Sequence, residues 1–149
     1  MKRLQALAVL AALSASALVF AQAKPEQQIE YRKAAMTVTA RSMGPLSAMA
    51  KGDAPFNKDV AARHAEVIAT LSDLPLLAGA YGPGTDKGAS HKSDPKVWSE
   101  QEKFKAAYDK FTTAAKALPA AAGDLKTLQV ALGELGKTCK GCHDDYRMK

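Results

Sequence analysis

A chain of 149 residues with 47% hydrophobic residues is long enough and apolar enough for one packed core. Its formal charge of +6 is mild, and no Arg-rich stripe or row of interleaved aromatics accompanies it, which excludes a nucleic-acid-binding surface. Two cysteines are too few for the cross-linked framework of a small disulfide-rich domain.

The N-terminus reads as an export signal. Lys2 and Arg3 precede a nearly unbroken apolar run from Leu4 to Phe20, and the small residues Ala21 and Ala23 follow. The run lies near the lower limit for crossing a membrane, so cleavage after Ala21 or Ala23 is expected rather than anchoring. That assigns 1–23 to a signal peptide and 24–149 to one domain outside the cytoplasm, in the periplasm, with no membrane attachment. Losing Lys2 and Arg3, two positive charges, takes the formal charge from +6 to +4.

Four amphipathic stretches follow. The first opens at Pro25 and repeats Ile29, Met36, Ala40, Met43, Leu46 and Ala50 at a helical period, with a kink or brief break expected at Gly44-Pro45. The second follows Asn57, a good N-cap, carries Val60, His64, Val67, Ile68 and Leu71 on one stripe, and stops near Pro75. An irregular segment from about Pro75 to Ser93 includes Tyr81-Gly82-Pro83-Gly84-Thr85-Asp86; loops of that length are usually functional or flexible, and this one is a candidate wall for a cofactor. The third helix starts at Ser93-Asp94-Pro95 and carries Val97, Trp98, Gln101, Phe104, Tyr108, Phe111 and Ala115. The fourth follows Gly123-Asp124 with Leu125, Leu128, Leu132, Leu135, Cys139, Cys142 and Tyr146. Four helices joined by short links, one excepted, predict an all-α antiparallel four-helix bundle.

The last helix holds Cys139-Lys140-Gly141-Cys142-His143. C-x-x-C-H is the attachment signature of a c-type haem: the thiols add across the two porphyrin vinyl groups and the adjoining imidazole ligates iron. On a helix Cys139, Cys142 and His143 project from one face, so a single turn can hold the group. A thioredoxin-like redox pair wants a βαβ context, and a zinc site wants four ligands where only His64 and His91 remain as nitrogen donors. A simple disulfide is the third alternative.

With these residues in hand, the chain resembles the cytochromes c′, the class II c-type cytochromes. The likeness rests on Tyr31-Arg32-Lys33, Gly82-Pro83-Gly84-Thr85-Asp86, Pro95-Lys96-Val97-Trp98 and the segment Cys139 to Arg147, which occur in order over the whole domain. The resemblance implies one haem c linked to Cys139 and Cys142, with His143 as axial ligand. It places Arg32 near a haem carboxylate, a charge-assisted pair that is also sound on physical grounds, and sets Lys33, Thr85 and Asp86 at the haem edge. Arg147 resembles the basic residue that flanks the axial histidine, and Pro45 departs from the family pattern.

Met36 stands one turn after Arg32, at the position that matches the family's distal residue. An apolar side chain there leaves iron five-coordinate and open to nitric oxide or carbon monoxide; that outcome is expected here. A ligating Met36 would instead make a low-spin electron carrier. The resemblance therefore implies electron transfer, gas binding or both. An enzyme such as a haem peroxidase is not expected, because the distal helix offers Ala35, Met36 and Thr39 where proton transfer would want His or Arg. Met43, Met49 and Val67 on the first two helices point to a homodimer, and the scattered Lys and Arg near the haem motif to an acidic redox partner. His64 is expected to pack or be partly exposed, His91 to be solvated, and Trp98 to be buried in the core or at the haem edge.

Overall fold

The structure, a computed structural model, describes residues 23–149; residues 1–22 of the expected signal segment lie outside the described residues. Helix starts follow the punctuation in the chain. Pro25 sits in the first turn of α1 (Pro25–Lys51), where its missing N–H would have had no helical partner. Asn57 Oδ1 accepts from the backbone N–H of Asp59 and of Val60, each at 3.0 Å, and so opens α2 (Lys58–Leu71). Two one-turn helices, α3 (Leu74–Leu77) and α4 (Lys96–Ser99), flank the long loop. Then come α5 (Gln101–Ala121) and α6 (Leu125–Tyr146), the latter capped by Asp124 Oδ1 accepting from Thr127 N at 3.0 Å.

Two expected boundaries differ. The break at Gly44-Pro45 does not occur: α1 runs through it. Gly44 has no Cβ to meet the proline ring, and Leu46 and Met49, both buried in the core, hold the turns that follow. The third helix is divided at Glu100, whose φ of −125° and ψ of 45° end α4 and begin α5. Val97 and Phe104, seven residues apart, face the interior on either side of that offset.

The four long helices form a ring in which α1 packs on α2, α2 on α5, α5 on α6 and α6 on α1. Short links make α1 and α2, and α5 and α6, antiparallel neighbours, and Gln129 Nε2 of early α6 donates to Ala50 O of late α1 at 2.7 Å. This is the antiparallel four-helix bundle expected from the sequence. Its core is made by Leu46 and Met49 of α1, Ala65 and Ile68 of α2, Phe111, Ala115 and Leu118 of α5, and Leu128, Leu132 and Leu135 of α6. Each fully buried leucine contributes roughly 1.5–3 kcal/mol of apolar burial, which fixes the helix register.

Apolar packing fills the end of the bundle with the short links, whereas the other end is built around the long loop. There the chain terminus is fastened back: Asp94 N donates to Tyr146 O at 2.9 Å, Met148 N donates to Lys92 O at 2.8 Å, and Ser93 bridges Arg147. The end of the loop is thereby held beside the turn of α6 that carries the C-x-x-C-H sequence. Of the two places expected for Met43 and Met49, core or dimer surface, the structure shows the core: Met49 is interior at 4% exposure and Met43 packs against it. The large apolar side chains that α1 leaves exposed are Tyr31 and Val38. Among the described residues no helix is long and apolar enough to cross a membrane.

Candidate functional site

α6 carries Cys139, Cys142 and His143 within little more than one turn, and Cys142 and His143 open onto a cavity of about 460 Å³. That volume lies in the range of small-molecule and cofactor sites. Arg32, Lys33, Met36, Thr37 and Ala40 of α1 form one wall. Tyr81 and His91 to Ser93 from the loop form another, Val97, Phe104 and Tyr108 a third, and Tyr146 and Arg147 complete the α6 side. Among the described residues no Asp or Glu lines the cavity.

Both cysteines are free thiols and half-buried. Burial raises the Cys142 thiol to about 11, with Cys139 and Asp145 adding to the effect, and burial likewise raises Cys139. A catalytic redox pair calls for the opposite shift, because the thiolate is the nucleophile. Among the described residues no three His, Cys, Asp or Glu side chains converge, so a closed zinc site is not built. Partial desolvation lowers the pKa of His143, and Arg147 lowers it further against the opposing pull of Asp144. The imidazole is therefore held toward its neutral form, the one with a lone pair to give to a metal.

Arg32 is 2% exposed. Its Nη1 donates to Ala80 O at 2.7 Å, and the guanidinium carbon lies 5.2 Å from the Tyr81 ring centroid and 5.4 Å from that of Trp98. Burial lowers its pKa, partly offset by Tyr81. Nη2 has no hydrogen-bond partner among the described residues. A buried cation with an unused donor calls for an anion, and a carboxylate at the cavity edge meets that need.

The structure brings together Arg32, Lys33, Met36, Cys142, His143 and Arg147 around one space, with Cys139 one turn before His143 on the same helix. Lys33 lines the cavity while paired with Glu30 at 2.8 Å. Thr85 and Asp86 are not among the lining residues. Thr85, 3% exposed, lies behind the wall, where its Oγ1 donates to Gly82 O at 2.8 Å and accepts from Trp98 Nε1 at 3.2 Å. Asp86 is exposed, and its backbone oxygen accepts from His91 Nε2 at 3.0 Å. Both residues build the loop that holds Trp98 and His91.

His91, expected in solvent, instead lines the cavity, because Ser93 N donates to its Nδ1 at 3.2 Å and its ring packs 5.7 Å from Trp98. His64 is half-buried on α2 and does not line the cavity. Tyr81, Phe104, Tyr108 and Tyr146 line it and had not been marked as site residues. Three of them fall on the same helical stripes as the core, so periodicity reads them as packing; Tyr81 was signalled only by its place in the long loop.

The residues present fit a haem c: adjacent thiols and imidazole on one turn, an apolar space beside them, and an unpaired buried Arg32 donor for a carboxylate.

Comparison with known proteins shows the family to which the chain is similar. The family model described as cytochrome c′ matches residues 27–147. The cytochrome c′ of Rubrivivax gelatinosus is 48% identical over 128 residues, spanning 85% of this chain and 98% of that protein. A crystal structure of it aligns with TM-score 0.79 over 83% of this chain and 97% of its own. A nitric oxide complex of a variant of cytochrome c prime from Alcaligenes xylosoxidans, 40% identical, aligns with TM-score 0.76 over 85% of this chain and 98% of its own. A carbon monoxide-bound variant of that protein is similar to the same degree.

Proposed function

Because the chain belongs to the cytochrome c′ family, we propose that it is a periplasmic haem protein that carries one covalent haem c and serves electron transfer, the binding of nitric oxide or carbon monoxide, or both. The single observation that carries this reading is the cavity into which Arg32, Met36, Cys142 and His143 converge from two helices. Cys139 and Cys142 would hold the group by thioether links, and His143 would offer its imidazole to the iron. When bound, the haem provides a one-electron couple and, where one axial position is open, a place for a diatomic gas.

The chain's own residues set the conditions around it. Arg32, desolvated between two aromatic rings, supplies a fixed positive charge for a carboxylate. Met36, Ala40, Val97 and Phe104 give the space an apolar lining that admits small neutral ligands and restrains water. Catalytic peroxide chemistry is not part of the reading. His91 lines the cavity but has both ring nitrogens engaged, and Arg32, a permanent cation held by Ala80 O at Nη1 with its other donor assigned to a carboxylate, has no proton to pass on.

Visible spectra of the purified ferric and ferrous protein test the open-iron reading, which expects high-spin bands in both states. Haem-stained denaturing gels test attachment: colour must stay with the polypeptide in acidified organic solvent, and Cys142→Ala must mature poorly. Export implies a mature protein starting at Gln22 or Lys24, which its intact mass reads directly.

Met36 also lines the cavity, and that observation favours one second reading, a low-spin carrier with its sulfur on iron. Self-association belongs to the proposal as well. Tyr31 and Val38 on the outer face of α1, with half-buried Val67 on α2, offer a self-complementary patch for a two-fold homodimer. Light scattering at micromolar concentration should give twice the chain mass; monomer alone rejects it.

A further inference from the structure

The aromatic group around the cavity contains one polar atom that the protein leaves unmatched. Tyr108 of α5 is 2% exposed, and its ring packs against Phe104 at 5.8 Å, Phe111 at 5.6 Å and Tyr81 at 5.7 Å between centroids. Those contacts need only the ring, and phenylalanine would make them without burying a hydroxyl. Yet Tyr108 Oη is buried with no hydrogen-bond partner. Among the described residues the only other side chain with such an atom is Arg32, and both line the same cavity. Two unmatched donors, where the other buried polar side chains of the described residues are satisfied, mark the places where the occupant supplies acceptors.

The chemistry of the occupant decides which acceptors these are. The pyrrole nitrogens of a haem are spent on iron, so its peripheral hydrogen-bond acceptors are its two carboxylates. Burial also raises the phenol far above its ordinary range, so it keeps its proton and remains a donor at any working pH.

We propose that Tyr108 is a cofactor-binding residue whose hydroxyl donates to a haem carboxylate, as a neutral partner to the charged Arg32 Nη2. The proposal rests on reading the cavity as a haem site. Arg32 brings charge and Tyr108 a single directed O–H from a ring that its neighbours hold still. A donor at the carboxylate draws negative charge away from the porphyrin, which disfavours the ferric state and raises the reduction potential.

The experiment is Tyr108→Phe in the holoprotein, a change of one oxygen that keeps the ring contacts. The wild type is first checked for covalent haem by its pyridine haemochrome spectrum, and absence of haem overturns the functional reading and this inference together. With haem present, the variant is expected to show a lower reduction potential and a shifted carboxylate bending band in the resonance Raman spectrum. Unchanged potential and band overturn the inference while leaving the haem reading intact, since the hydroxyl is then met by trapped water or by nothing. A lowered potential with an unmoved carboxylate band overturns it too, because the hydroxyl then acts elsewhere than on the carboxylate.

Discussion

Met36 and Arg32 lie one helical turn apart on α1, and both reach the cavity that receives His143 from α6. A thioether that only packs there blocks access without donating to iron, and the two roles separate under one substitution. Met36→Ala is expected to leave a high-spin ferrous spectrum unchanged and to speed carbon monoxide binding by roughly ten-fold, the rate equivalent of about 1.4 kcal/mol of steric cost. A low-spin wild type that turns high-spin in the variant, with a lower potential, would transfer the role to the low-spin carrier. Tyr81 sets a different dependence. Burial pushes its phenol from 10.0 up to about 12, with Arg32 opposing and Cys142 adding to the rise. A folded-state pKa raised above the unfolded one gives stability that is complete below pH 10 and lost as pH climbs through about 12. Urea titrations across that interval should show a steeper alkaline decline for the wild type than for Tyr81→Phe. Cys142 and His143 were marked by a motif, and Arg32 and Met36 by the family resemblance; all four sit on helices, where spacing determines direction, and all four line one cavity. Tyr81 and His91 were not legible because turns and backbone hydrogen bonds of a loop place them, and for the same reason Thr85 lies behind the wall and Asp86 on the exposed side of the loop.

At the scale of elements, caps and periods carried most of the fold. Asn57 and Asp124 announce their helices chemically, and α2 and α6 begin where those side chains accept backbone N–H groups. The division between α4 and α5 was hidden because an offset at Glu100 leaves Val97 and Phe104 facing inward in either arrangement. Pro45 is the reverse case, a strong local signal overridden by packing on Leu46 and Met49. Proline in a helix interior removes one hydrogen bond and crowds the carbonyl four residues before it, here that of Arg41. Pro45→Ala should therefore stabilise the protein by about 1–3 kcal/mol, seen as a higher denaturant midpoint with an unchanged slope. A lower midpoint would show that the ring itself packs usefully against the core. Asn57→Ala works in the other direction, with an expected loss of about 1 kcal/mol on removal of the cap.

At the scale of the molecule, charge is distributed unevenly about the cavity. Among the described residues Arg32, Lys33, Lys92 and Arg147 line it and no carboxylate does. Lys33 is partly neutralised by Glu30, whereas among the described residues Lys92 and Arg147 form no ion pair. Haem brings two carboxylates, fewer than the four cations, and the whole chain is itself positive at +6, or +4 without Lys2 and Arg3. The residues lining the cavity therefore carry more positive than negative charge. The field of such an excess accelerates encounter with negative reactants and is screened over about 10 Å at 0.1 M salt. Oxidation of the ferrous protein by ferricyanide, an anion, should slow as ionic strength rises, whereas oxidation by a cationic cobalt complex should quicken. Lys92→Glu reverses one exposed charge at the rim and leaves the residues around the haem in place. It should lower the ferricyanide rate several-fold at low salt and converge on the wild type at high salt. Equal salt dependence for the two oxidants would show that electrons leave through another face, and would remove the charge-based reason for expecting an acidic redox partner at this one.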